Sequence, residues 1–200
     1  MKNYIVFDLE WNQSANGKER SVPHFPFEII EIGAVKLNEN FQMTGEFHRL
    51  VRPQVYTQMH HAISEVTHMN MKELRNSGEL FPNAATEFLA WCGEDAVFCT
   101  WGNMDLLELQ RNMDYYHMEN PFSKPLLYYD VQKLYGLFCR ENARISLDSA
   151  VEEQNLMEER PFHRALDDAY YTGKLLTMLG QTPGPDAFPM DISAIISNFY

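Results

Sequence analysis

Cysteine is scarce, and Cys92, Cys99 and Cys139 show neither a CxxC pair nor metal-ligand spacing. An odd set cannot all pair within one chain, so these residues read as buried free thiols, not as a disulfide framework. No apolar run reaches the roughly 20 residues of a spanning helix, which excludes a helical membrane protein. Positive charge is also sparse: 16 Lys and Arg stand against 28 Asp and Glu, for a net charge of −12. That balance excludes the broad cationic surface that grips long duplexes in a salt-sensitive way. There is no internal repeat and no low-complexity segment. Met1-Lys2-Asn3-Tyr4 runs straight into a strand-like stretch without the small-residue cleavage site of a signal peptide, so a cytoplasmic enzyme is expected.

The chain does have an ordinary domain composition. Its 200 residues, 45% hydrophobic and 22% charged, suffice for a core without disulfide or metal staples. The acidic balance does not exclude nucleic acid as substrate. Carboxylates that hold divalent cations count as negative in a sequence tally, although the bound ions reverse the local field. One domain over residues 1–180 is expected. The tail, 181–200, holds Pro183, Pro185 and Pro189 and is expected to be extended, with its apolar end, Ile192 to Tyr200, docked on the same domain.

Tyr4 to Leu9 is a β-branched and aromatic run too short for a helix, and so a buried strand. A polar loop, Gln13 to Pro26, carries Gly17, Pro23 and Pro26. Strand composition resumes at Phe27 to Leu37 and again at Phe41 to Val51, with Asn38-Glu39-Asn40 as the hairpin turn, Asn tolerating the left-handed conformation. Ala84, Phe88, Leu89 and Trp91 then fall on one helical stripe behind Pro82. Ala96 to Thr100 reads as a short buried strand, Leu106 to Met113 as helix and Leu126 to Tyr129 as a fifth strand. Ser146 opens a further helix, and Ala165 to Leu179 forms the last. Strands alternating with helices imply parallel crossovers, so the class is α/β: a mixed sheet, antiparallel over strands one to three and parallel thereafter, flanked by helices.

Acids interrupt these apolar segments in three places, where an isolated buried carboxylate costs several kcal/mol unless a cation or hydrogen bonds compensate. Asp8 and Glu10 lie two apart on the first strand, hence on one face, and can chelate a cation between them; a strand running out into a polar loop would look the same. Asp105 follows Trp101-Gly102-Asn103-Met104 at a helix start, where the macrodipole alone favours an acid. His163-Arg164-Ala165-Leu166-Asp167-Asp168 opens the last helix. On one helix His163 and Asp168 would sit about 140° apart. If His163 precedes the helix, as Pro161 allows, it can swing toward whatever Asp168 contacts.

Asp8-x-Glu10, then Asp105 in a strand-to-helix turn, then His-x-Ala-x-x-Asp at His163 to Asp168, resemble the DEDDh 3′→5′ exonucleases. The likeness runs over roughly residues 3 to 180 and includes Glu28-Ile29-Ile30-Glu31-Ile32-Gly33-Ala34-Val35 as second strand. Asp8-Leu9-Glu10-Trp11-Asn12 and Trp101 to Asp105 are most similar to the branch that trims small and histone-message RNAs. The resemblance implies a ribonuclease H-like sheet and a metal-dependent exonuclease releasing nucleoside 5′-monophosphates from single-stranded 3′ ends, RNA favoured over DNA. A DNA-directed proofreading or repair enzyme, or a non-catalytic interaction module on the same fold, are the alternatives.

The same resemblance implies two divalent ions about 4 Å apart, Mg²⁺ or Mn²⁺ for an oxygen ligand set. Asp8 would bridge them, Glu10 and Asp168 would complete the ligands of the first ion, and Asp105 would hold the second ion through water. His163 would be the general base, with Asp167 outside the site. Leu9, Trp11 and Asn12 would meet the terminal nucleotide, Trp11 either by stacking or by packing into the core. Ile63 to Met69 would form a substrate-rim turn from which His68 approaches phosphate. His60, His61 and His68 otherwise read as surface or turn residues, not a metal cluster. Lys18 and Arg20 make the 13–26 loop either a gripping rim or a plain solvent loop.

Overall fold

Three strands form where β-branched and aromatic residues cluster: β1 (Asn3–Asn12), β2 (Glu28–Leu37) and β3 (Met43–Leu50). A computed structural model describes residues 3–16, 21–120, 127–139, 144–158, 160–181 and 197–198. Antiparallel pairing runs from Tyr4↔Leu37 to Asn12↔Glu28, with a bulge between Glu10 and Trp11, and β3 adds to the far side of β2. The β2–β3 turn departs from expectation. Asn38 acts through its side chain, Oδ1 accepting the amides of Asn40 and Gln42 at 2.9 and 3.0 Å, while the left-handed residue is Phe41 (φ 56°). The ring of Phe41 stacks on Tyr4 with centroids 4.8 Å apart, an attachment that offsets an uncommon backbone conformation.

β4 (Ala96–Thr100) lies parallel to β1, and β5 (Leu127–Asp130) parallel to β4. The strand order is β3-β2-β1-β4-β5-β6, where β6 (Ser197–Asn198) pairs antiparallel with β5. Leu126, Lys18, Arg20 and the tail from residue 182, β6 apart, fall beyond the described residues, whereas Gln181 closes the last helix. Helices are α1 (His61–Thr67), α2 (Met71–Ser77), α3 (Phe81–Cys92), α4 (Met104–Tyr115), α5 (Val131–Cys139), α6 (Leu147–Glu153) and α7 (Ala165–Gln181). α1 takes the place of the expected rim turn at Ile63 to Met69. Neither α1, α2 nor α5 was distinguished in the sequence, since helices of seven to nine residues complete too few turns for a clear apolar period. Among the described residues no helix is long and apolar enough to cross a membrane.

Alternation along β1 divides the core. Ile5, Phe7 and Leu9 face α3 and α4, packing with Phe88, Leu106, Leu109 and Met113; Val6 faces α5, α6 and α7 with Val35, Leu134, Val151 and Leu175. Asp8 and Glu10 continue the Val6 face, so the acidic pair lies under α7. The cysteines are all free. Cys92 and Cys99 are buried, and burial pushes the Cys92 thiol up to about 12; Cys139 is only partly buried, contrary to expectation.

Candidate active site

The site forms where β1 and β4, parallel neighbours, end and the chain leaves them in different directions, the switch point at which open α/β sheets bind ligands. Asp8 and Glu10 project from β1 across the ladder from Gly33 and Glu31. Gly33 is required by a close approach. A Cβ there would stand 2.0 Å from the Leu166 amide nitrogen and 2.1 Å from the Ala165 carbonyl carbon. Lacking one, β2 lets the first turn of α7 press directly on the sheet and carry Asp168 over the strand acids.

Carboxylate oxygens of Asp8, Glu10 and Asp168 accordingly lie within 4.8 Å of one another. His163 precedes α7, with φ 64° and an exposed side chain, and its backbone amide donates to Asp168 Oδ2 at 3.1 Å. Asp168 Oδ1 is buried without a hydrogen-bond partner. Asp105 arrives from the other helical layer. Gly102 (φ 93°) turns the chain out of β4, α4 begins, and Asp105 Oδ1 accepts the Leu9 amide of β1 at 3.1 Å. It is 5% exposed.

Crowding these acids makes their ionised forms costly. Burial, followed by the charges of Asp105, Asp168 and Glu10, raises Asp8 well above the usual carboxylate range. Burial, then Asp168, lifts Glu10 to about 8. Asp105 and Asp168 rise to about 7, mainly through burial, with the Leu9 and His163 amides pulling each partly back. A divalent cation would relieve this repulsion and satisfy the orphaned Asp168 oxygen, and an all-oxygen donor set suits a hard ion. The residues therefore fit a divalent metal.

The remaining predicted residues divide. Leu9 has its side chain in the core, 3% exposed, and its amide is occupied by Asp105. Asn12 is enclosed as well. It is fully buried, donating from Nδ2 to the Tyr56 and Gln58 carbonyls at 2.9 Å and accepting the His60 amide at 2.9 Å. The bulge before Trp11 turns Asn12 inward, where it ties down the 56–60 segment. Trp11 is partly buried against the core, 5.6 Å from the Phe27 ring. His68 caps α1 in the left-handed conformation and is exposed. His61 is exposed too and pairs with Glu65 at 3.3 Å; no metal-binding group among the described residues includes either.

The motif spacing does not point to Glu31, Arg164, His48 or Glu28. Glu31, fully buried, receives Arg164 Nη2 at 2.7 Å, Arg164 Nε at 3.1 and 3.2 Å, and the Ala165 amide at 3.0 Å; His48 Nε2 lies 2.7 Å from Oε1. Glu28 accepts the amides of Gln54 at 2.6 Å and Tyr56 at 2.7 Å, and the Tyr116 hydroxyl at 2.6 Å. Acids within an apolar strand, FEIIEIGAV, were the available signal, and they obey the same cost of buried charge that drew attention to Asp8.

Comparison with known proteins bears on the class. The nuclease domain of 3'hExo, described as a DEDDh family member bound to rAMP, superposes with a TM-score of 0.72 at 24% identity, covering 89% of this chain and 92% of that one. E. coli Exonuclease I in complex with a dT13 oligonucleotide gives 0.67 at 14% identity, covering 90% of this chain and 41% of that one. A Bacillus subtilis (strain 168) protein, "Probable 3'-5' exonuclease KapD", is 27% identical over 178 residues, 88% of this chain and 84% of that protein. The fold is ribonuclease H-like, and the protein is a nuclease of the divalent-metal-dependent kind. The chain belongs to the Exonuclease family (RNase_T), whose model matches residues 5–176, and it is a 3′→5′ exonuclease.

Proposed function

We propose that this enzyme removes nucleotides from the 3′ end of single-stranded nucleic acid by hydrolysis, releasing nucleoside 5′-monophosphates, with RNA favoured over DNA. The carrying observation is the convergence of Asp8, Glu10 and Asp168 oxygens within 4.8 Å, one of them buried and unpartnered. In this reading Asp8, Glu10 and Asp168 would hold one divalent ion, Mg²⁺ or Mn²⁺, and Asp105 with Asp8 would help to hold a second. When bound, such ions polarise the scissile phosphate and lower the pKa of the attacking water.

The chain's own groups do the rest. The Leu9 amide fixes Asp105 and the His163 amide fixes Asp168, so neither carboxylate must reorganise to reach its working orientation. The exposed imidazole of His163 takes the proton of the water that attacks phosphorus. Trp11 offers a ring face on which a terminal base can stack irrespective of sequence, and His68 meets the substrate phosphate. Likeness to an rAMP-bound nuclease domain over nearly its whole length supports RNA; likeness to an exonuclease crystallised with dT13 supports the DNA reading. A scaffold without catalysis gains nothing from clustered unpaired carboxylates.

Three free cysteines fit a reducing, cytoplasmic compartment. Pairing of Ser197 and Asn198 with β5 supports a tail docked on the exonuclease domain, residues 1–180. Digestion of matched 5′-labelled RNA and DNA oligonucleotides with Mg²⁺ or Mn²⁺ tests the function: shortening from the 3′ end, abolished by chelator and by Asp8→Ala or Asp168→Ala, is expected. Undiminished cleavage by the Asp8 variant would reject the assignment.

A further inference from the structure

Arg164 and Ala165 lie between the two site residues that the last helix supplies, His163 and Asp168, and both are gripped by one carboxylate on a different element. Glu31 stands directly across the β1–β2 ladder from Glu10, and its side chain is 1% exposed. Its oxygens take the Arg164 guanidinium through both Nε and Nη2 and take the Ala165 amide at 3.0 Å. A planar fork on a carboxylate fixes direction as well as distance, which a point charge does not.

A fifth acid beside four is costly. Glu31 adds to the repulsion felt by Asp8, Glu10 and Asp168, whereas Arg164 eases it for Glu10. Where packing is the sole requirement, an apolar pair of similar volume holds two elements together at least as well as a buried ion pair. The turn being held also has an uncommon conformation. His163 has φ 64° without being glycine, a state that persists where surrounding contacts over-determine it. Burial acts to raise Glu31, but the hydrogen bonds from His48, Arg164 and the Ala165 amide outweigh it and hold the carboxyl at about 2, so the grip is charged throughout the working range.

We infer that Glu31 is a positioning residue for the reaction: through Arg164 and the Ala165 amide it sets the turn that aims His163 and seats Asp168 over Asp8 and Glu10. It touches neither substrate nor metal in this role. The inference rests on the exonuclease reading of the same site.

The test uses the full chain with Glu31→Gln, Arg164→Lys and Arg164→Met, and reads kcat, KM and Mn²⁺ affinity by calorimetry, with melting temperature as a check on folding. Groups that orient metal ligands typically change activity or metal affinity by about 10- to 100-fold. Glu31→Gln and Arg164→Met are expected to lose that much in kcat and in Mn²⁺ affinity with KM changed by less than about threefold. Arg164→Lys, which keeps the charge and loses the fork, is expected to fall between Arg164→Met and the parent. Folded variants with parental kcat and Mn²⁺ affinity, or a change confined to KM, would overturn the inference. If Glu31→Gln does not fold, Arg164→Lys decides: parental kcat and Mn²⁺ affinity in that variant likewise overturn it. An inactive parent protein would instead count against the exonuclease reading, and the Mn²⁺ affinities would still judge the positioning role.

Discussion

The backbone amide of Leu9 donates a hydrogen bond to Asp105 Oδ1 at 3.1 Å, joining β1 to the first turn of α4 across 96 positions of sequence. This bond fixes a site acid and satisfies a donor buried in the core. Asp105→Asn keeps an acceptor for Leu9 but removes the charge, so it is expected to fold with a near-parental melting temperature and to lose hydrolysis. Asp105→Ala strands the Leu9 amide as well, at a further cost of about 1–3 kcal/mol. Thermal melts beside the oligonucleotide assay check both. Full activity in Asp105→Asn would remove Asp105 from the metal-binding set.

His163 contributes to the site through two separate groups. Its amide seats Asp168 and survives substitution, while its exposed imidazole supplies the proposed base. His163→Ala is therefore expected to cut kcat by about 10²- to 10⁴-fold while Mn²⁺ affinity stays close to parental. Single-turnover kinetics and calorimetry separate these quantities, and an unaltered rate would rule out the imidazole as base.

Gly33→Ala tests the close approach of α7. The added Cβ would lie 2.0 Å from the Leu166 backbone nitrogen, with no flexible side chain to give way. Overpacking of this kind costs about 1–3 kcal/mol, and relief requires α7 to lift, carrying Asp168 away from Asp8 and Glu10. A lowered melting temperature together with weakened Mn²⁺ binding is expected; loss of stability with unchanged metal affinity would show that α7 does not set the Asp168 position.

The acids also give the protein a pH signature. Glu10, at about 8, and Asp105 and Asp168, at about 7, are raised in the folded chain by burial and by neighbouring carboxylates. Raised acids favour folding when protonated. In metal-free protein this contribution is complete below the unfolded values of about 4 and is lost as pH climbs through 7 to 8. Metal binding needs the ionised forms and so releases protons. The gain in melting temperature on adding Mn²⁺ should therefore grow between about pH 6 and pH 8, with proton release measurable by calorimetry in two buffers of different ionisation enthalpy. A gain that shrinks with pH would contradict the assignment of these carboxylates as ligands.

Much of the site was legible because its signals are local. Alternation along a strand places Asp8 and Glu10 on one face whatever else the chain does, and Ala96 to Thr100 ends where Asp105 opens α4. His163 outside the helix follows from Pro161 and the angular mismatch with Asp168. The inward turn of Asn12 was not legible, because it depends on the β-bulge at Glu10 and Trp11, a change of register that appears only when β2 is laid beside β1.

Sequence alone determined the succession of the first five strands along the chain, the expectation of mixed pairing and the acidic interruptions at Asp8, Glu10, Asp105 and Asp168, since each is written in residues a few positions apart. Tertiary structure alone decided which buried charges are compensated and which are left to a cation. Glu31 and Asp168 are both acids among hydrophobic neighbours, but Glu31 finds Arg164 across 133 positions while Asp168 Oδ1 finds no partner. The free energy of a buried carboxylate is set by whatever the fold brings within hydrogen-bond reach, and that neighbour need not be near it in the chain.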